Sequence, residues 1–170
     1  MSPTDHSLPL FDFREPLAVS AWTPIDDRVM GGQSLSQLRF GSAGYAVFEG
    51  EVSLAAGGGF ASVRSRPLDL GDPRALAIQI EVLGDGKRYK LNLRTDDTFD
   101  GLTYQAHFQP APGAWSMLRL PLTSFAPTWR GRPVDGAPEC RPDRLRQLCL
   151  TIGERQAGPF ALALRLIVLE

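Results

Sequence analysis

At 170 residues, with 43% hydrophobic side chains and a formal net charge of −1, the chain is sized for one domain that buries a true core. The near-neutral balance argues against a nucleic-acid footprint, since the five arginines of "RGRPVDGAPECRPDRLRQ" are interrupted by acidic residues. No apolar run approaches the roughly 20 residues that a membrane helix needs, so no membrane span is expected.

Residues 1–9 are expected to form a flexible tail ahead of a single domain at 10–170. The opening "MSPTDHSLPLFDF" lacks the basic start and small-residue cleavage site of a signal peptide, so a cytoplasmic location is expected. At residues 26–34, "DDRVMGGQS" combines two carboxylates, an arginine, a Gly-Gly pair and small polar side chains. Such a stretch is either a ligand-cradling loop or an elaborate turn.

Beyond it, alternation with period two dominates. "YAVFEGEVSL" and "FASVRS" read as strands; in the second, Phe60, Ser62 and Arg64 share one face and Ala61, Val63 and Ser65 the other. In "ALAIQIEV", Leu76, Ile78, Ile80 and Val82 point one way, and in "YKLNLRT", Tyr89, Leu91 and Leu93 face the core against Lys90, Asn92 and Arg94. The intervening "GDGK" is an Asp-Gly turn of the kind that closes tight hairpins, which predicts a β-hairpin here. "LTYQAHF", "WSMLRLPL", "LCLTIG" and "PFALALRLIVL" complete a set of about nine strands separated by Gly- and Pro-rich turns. No helical pattern lies between them to supply parallel crossovers, so an all-β, mostly antiparallel sandwich of jelly-roll type is predicted. The stretch from Thr123 to Leu145 is long for a connection and is expected to be a folded surface loop, with one helical turn around Asp143.

Catalytic chemistry finds few parts. His6 lies in the tail and His107 stands alone on the face opposite Tyr104, Ala106 and Phe108, so no base meets a nucleophile of the G-x-S-x-G kind. Asp26/Asp27 and Asp96/Asp97 are adjacent pairs, which an extended chain points to opposite faces, unlike the facing carboxylates of a glycosidase. "DDTFDG" lacks the spacing of a calcium loop, and the Gly clusters at 30–32, 57–59 and 84–86 fit no nucleotide motif. Cys140 and Cys149 are too few for a zinc site or a disulfide framework. No cofactor and no metal are expected. Arg64, in line with an aromatic residue, needs a partner, and Asp26 or Asp27 is expected to pair with it or with Arg28.

Several stretches taken together, "WTPIDDRVMGGQS", "FEGEVSL", "GGFASVRS", "LGDGKRYKLNLRT", "YQAHF", "LPLTSFAPTWRGRPV" and "GPFALALRLI", resemble the complex I intermediate-associated protein 30 family in order and spacing over residues 10–169. The resemblance implies a galactose-binding-domain-like β-sandwich and a role in assembling the NADH:ubiquinone oxidoreductase. It brings no catalytic residues. A chain that starts almost directly with the domain, without a transit peptide, is expected of a stand-alone, bacterial-type member.

The expected function is therefore a non-enzymatic binding or assembly module that docks a protein partner, complex I assembly intermediates being the partner the resemblance implies. Its candidate surface comprises Trp22, Asp26, Asp27, Arg28, Gly31, Gly32, Ser34, Arg64, Tyr104, Trp129 and Arg130. The alternative is a small-ligand or carbohydrate-binding module, in which Trp22, Tyr104 and Trp129 would stack on the ligand beside Arg64 and Asp27.

Overall fold

The computed structural model describes residues 8–26, 31–96 and 100–170. They form two packed antiparallel sheets. One runs in the order β3 (Leu35–Phe40), β4 (Ala46–Val52), β13 (Gly158–Leu169), β6 (Ala77–Leu83) and β9 (Trp115–Pro121), with β1 (Leu8–Asp12) along the second half of β13. The other runs β11 (Arg132–Pro133), β10 (Ala126–Trp129), β8 (Thr103–Phe108), β7 (Tyr89–Arg94), β12 (Gln147–Ile152), β5 (Ala61–Ser65) and β2 (Trp22–Pro24). Every strand expected from alternation is present. Leu8 and Pro9, read from the sequence as part of a tail, are instead paired with Leu169 and Val168. The segment from Thr123 to Leu145, read as a loop, contains β10 and β11, and a single 3-10 turn over Pro142–Arg144 holds Asp143.

The alternating apolar positions meet between the sheets. Ile78, Ile80, Phe48 and Leu164 from one sheet and Tyr89, Leu91, Leu93 and Leu150 from the other are fully buried in one cluster. Each such side chain contributes roughly 1.5–3 kcal/mol relative to exposure. Phe48 packs edge-on against Phe160 at 5.0 Å, and Tyr89 stacks on Phe108 at 6.0 Å. Leu76, expected in line with Ile78, is exposed, because β6 begins only at Ala77.

The hairpin predicted across "GDGK" does not form. β6 pairs with β13 and β9, whereas β7 pairs with β8 and β12 in the opposite sheet. The apolar faces of the two strands therefore meet across the core and not side by side. Asp85 fixes this crossing. Its carboxylate accepts the Lys87 amide at 3.0 Å, the Tyr89 hydroxyl at 2.9 Å and the Ala161 amide at 2.9 Å, tying the turn to β7 and β13. Burial, and then the Asp85 charge, push the Tyr89 phenol well above its usual range, so it stays a neutral donor.

Candidate functional site

The first residue of "DDRVMGGQS" is a joint. Asp26 is 2% exposed at the end of β2. Its carboxylate accepts the Ser36 amide at 3.1 Å, the Ser36 hydroxyl, and the Ser62 amide at 3.1 Å. Ser36 belongs to β3 and Ser62 to β5, so one side chain bridges both sheets. Ser34, fully buried, accepts the Ser53 amide at 2.9 Å and donates to the Ser53 carbonyl at 3.3 Å, closing the other end of the segment onto β4's exit. Gly31 takes a positive φ of 89° at an exposed position, and Gly32 is half-buried. These bonds of Asp26 run to serine groups of two strands. Asp27 and Arg28 lie outside the described residues.

Arg64 leads to a different surface. Register places Thr23, Arg64, Cys149, Asn92, Gln105 and Ala126 in one cross-strand row on the outer face of the seven-stranded sheet. A second row carries Gln147 beside Arg94, and Thr103 beside Thr128. Outer faces of sheets are ordinarily solvated, yet Asn92, Gln147 and Thr128 are each only 6% exposed and Arg94 2%. The buried groups are joined in a ladder. Gln105 donates to Asn92 at 2.9 Å, and Asn92 donates to Thr151 at 3.0 Å, spanning three strands. Arg94 donates to the Thr103 hydroxyl at 3.2 Å, and its charge reaches Asp96 at 3.9 Å. Burial first, and the nearby Arg64 second, draw Arg94 below the ordinary guanidinium range.

The opposite outer face differs in kind. There, partly exposed charged pairs line the surface, Arg39 of β3 with Glu49 of β4 and Arg119 of β9 with Glu170. Fixed neutral polar groups around two arginines thus mark one face of the sandwich.

At the end of this face stands the β10–β11 hairpin. Arg130 and Gly131 form its two-residue tip with φ of 48° and 76°, the positive pair that a tight primed turn requires. Trp129 is 44% exposed, and its indole N–H donates to the Asp100 carbonyl at 3.2 Å. Arg130 lies over the indole at 4.7 Å and grips the Asp100 carboxylate with Nη2 at 2.7 Å and Nε at 3.1 Å. That grip, with the Arg94 charge adding to it, holds Asp100 below the usual carboxylate range.

Two of the three expected stacking residues are elsewhere. Trp22 is 7% exposed and packs edge-on against Phe11 at 5.0 Å, and Tyr104 is buried with its hydroxyl on the Pro138 carbonyl at 2.9 Å. Both face the core because they occupy the inward positions of β2 and β8. The polar ladder residues Asn92, Arg94, Gln105 and Gln147 are the ones the sequence reading missed as a group. Their common signal was the choice of amides and hydroxyls, in place of Lys and Glu, at outward positions of three successive sheet neighbours.

Acid-base chemistry gains little from folding. His107 is exposed, 3.4 Å from Glu154, which is held by Arg88. Among the described residues no group of three His, Cys, Asp or Glu side chains is placed to hold a metal ion. Cys140, its thiol raised to about 11 by burial, is a poor nucleophile. No helix among the described residues is long and apolar enough to cross a membrane.

The architecture is an antiparallel two-sheet β-sandwich of jelly-roll type. A family 11 carbohydrate-binding module from Clostridium thermocellum, in complex with a mixed-linked tetrasaccharide, superposes with a TM-score of 0.71 at 15% identity, covering 96% of this chain and 95% of that one. A family 29 carbohydrate-binding module superposes with a TM-score of 0.55 at 8% identity, covering 96% and 89%. The profile of the family described as Complex I intermediate-associated protein 30 matches residues 11–164, and the chain belongs to that family. An uncharacterized protein of Schizosaccharomyces pombe is 29% identical over 84% of this chain and 74% of its own length. The mitochondrial Complex I intermediate-associated protein 30 of Drosophila melanogaster is 24% identical over 95% of this chain, which spans 62% of that protein's length.

Proposed function

We propose that this chain is a non-enzymatic assembly module that docks a protein partner during construction of a respiratory complex. The family, and the name of its Drosophila relative, suggest complex I as the setting. The observation that carries the reading is the family match over residues 11–164, and the half-buried Arg64 on the outer face of the seven-stranded sheet is the candidate contact. Affinity purification of the chain from its native cells, with mass spectrometry, tests this. Respiratory-complex subunits are expected in the eluate, and an Arg64→Ala variant of unchanged melting temperature is expected to lose them. A chain that elutes alone sinks the reading.

A second reading, a carbohydrate or small-ligand module, is favoured by one observation: Trp129 keeps 44% of its surface exposed beside the tip of the β10–β11 hairpin. The solved sandwiches of the same fold are named for carbohydrate binding, which supports asking the question of this chain. Glycan titration separates the two readings.

A further inference from the structure

Trp129 is exposed in an unusual manner. Its N–H is already spent on the Asp100 carbonyl, so what the indole offers to solvent is ring surface and not a hydrogen bond. One face of the ring carries the Arg130 guanidinium, 4.7 Å from the centroid and itself clamped on Asp100 through Nε and Nη2, so a ligand's place is the opposite face. Nη1 of Arg130 has no bond to a described residue. Across the hairpin, Arg132 is paired with Trp129 in register, which puts both side chains on one face of the ribbon. Arg132 is exposed and has no carboxylate within ion-pair distance among the described residues.

A ring surface set between guanidinium donors suits a flat, hydroxylated ligand. The axial C–H bonds of a pyranose carry slight positive charge and pack on the negative face of an indole. The equatorial hydroxyls then project sideways past the edge of the ring. Arg132 adds an uncompensated positive charge, which favours a sugar bearing a carboxylate, because guanidinium and carboxylate form paired charge-assisted bonds.

We propose that the β10–β11 hairpin is a stacking subsite for a pyranose ring, with the indole of Trp129, backed by Arg130, as the platform and Arg132 selecting uronates over neutral sugars. The proposal rests on the ligand-binding reading above. It assigns the site to the rim of the sheet, not to Trp22 or Tyr104.

The full chain is titrated with a galacturonate tetramer and with cellotetraose, following tryptophan emission and checking affinity by calorimetry. Saturable binding with a blue shift is expected, tighter for the uronate. Trp129→Ala is expected to weaken both by about tenfold or more, the loss of roughly one stacked ring, while its melting temperature shows that it folds. Arg132→Gln is expected to remove the uronate preference and leave cellotetraose binding unchanged. Binding that survives Trp129→Ala overturns the site but keeps the ligand-binding reading. Wild-type protein that binds neither sugar overturns both, and an uronate preference that survives Arg132→Gln overturns the role of that arginine.

Discussion

The Asp26 carboxylate accepts the Ser62 amide at 3.1 Å while also holding the Ser36 amide at 3.1 Å. A side chain at the end of β2 thereby stitches the edge of one sheet to the edge of the other. Asp26→Ala leaves the Ser36 and Ser62 amides without their acceptor inside the protein, the Ser36 hydroxyl keeping the Ser62 carbonyl at 3.1 Å, at about 1–3 kcal/mol for each buried group left unsatisfied. A net loss of about 2–4 kcal/mol is expected, seen as a lower urea midpoint at unchanged slope. Asp26→Asn preserves shape but turns an NH2 toward donors, so it is expected to recover little. Full recovery by Asn would show that shape, not acceptance, is what the joint needs.

Asp85 performs the corresponding task at the β6–β7 crossing. Tyr89→Phe removes one bond to its Oδ2 and is expected to cost about 1 kcal/mol. Asp85→Ala strands the Tyr89 hydroxyl and the Ala161 amide together and is expected to cost more, about 2–3 kcal/mol. The double variant is expected to cost less than the sum, since both changes remove the same contact. Additive losses in chemical denaturation would mean that the tyrosine and the carboxylate act independently.

Gly50, in β4, approaches β3 so closely that a Cβ there would overlap the Leu35 carbonyl oxygen and crowd the Ser36 backbone. The obstacle is main chain and cannot rotate aside. Gly50→Ala is therefore expected to cost about 1–3 kcal/mol by displacing β3, and hydrogen exchange is expected to rise in β3 before the rest of the sheet.

These joints explain how much of the molecule was legible in its sequence. Alternation revealed the strands with complete apolar faces, such as Ile78, Ile80 and Val82, because burial on one side imposes period two. β3 escaped notice, since it is an edge strand whose Leu35 is 52% exposed. β2 and β10 each contain a proline, which weakens a strand reading by removing a ladder donor. "GDGK" announced a turn, but whether the next strand pairs beside or across depends on partners far along the chain, β13 and β12. The role of Asp26 was hidden for the same reason, as its acceptor duties lie 10 and 36 residues away. The site was legible only where chemistry is local. Trp129 and Arg130 sit together at a hairpin tip, whereas the amide ladder exists only once β8, β7 and β12 lie side by side.

Acid is expected to weaken the fold through its surface pairs. The bond from Arg39 holds Glu49 below its ordinary value of 4.5, and Arg119 does the same for Glu170. A carboxylate whose folded pKa is depressed stabilises the protein fully above the unfolded pKa. As pH falls below about 4.5 the unfolded chain takes up protons first, and stability declines until the folded groups protonate as well. Both pairs are partly exposed, so each contributes little and is screened by salt. The melting temperature is expected to be flat from pH 7 to 5 and to fall below that, with Arg39→Gln showing a shallower fall. An equal fall in the variant would assign the acid sensitivity to other carboxylates.

The tryptophans provide the sharpest contrast between core and surface. Trp22 packs against Phe11 at 5.0 Å and Phe13 at 5.9 Å, closing the space between β1 and β2. Trp22→Ala empties that space, and a loss of about 3–5 kcal/mol is expected, as for large aromatic truncations in cores. Trp129 gives up an exposed ring, one bond to a backbone carbonyl and the stacking of Arg130. Its replacement by Ala is expected to cost about 1 kcal/mol or less. Emission spectra follow the same division. Removing Trp129 is expected to take away the red-shifted, readily quenched component, and removing Trp22 a blue-shifted one. A large loss of stability in Trp129→Ala would make the hairpin a structural clamp and leave the rim without a platform to offer a ligand.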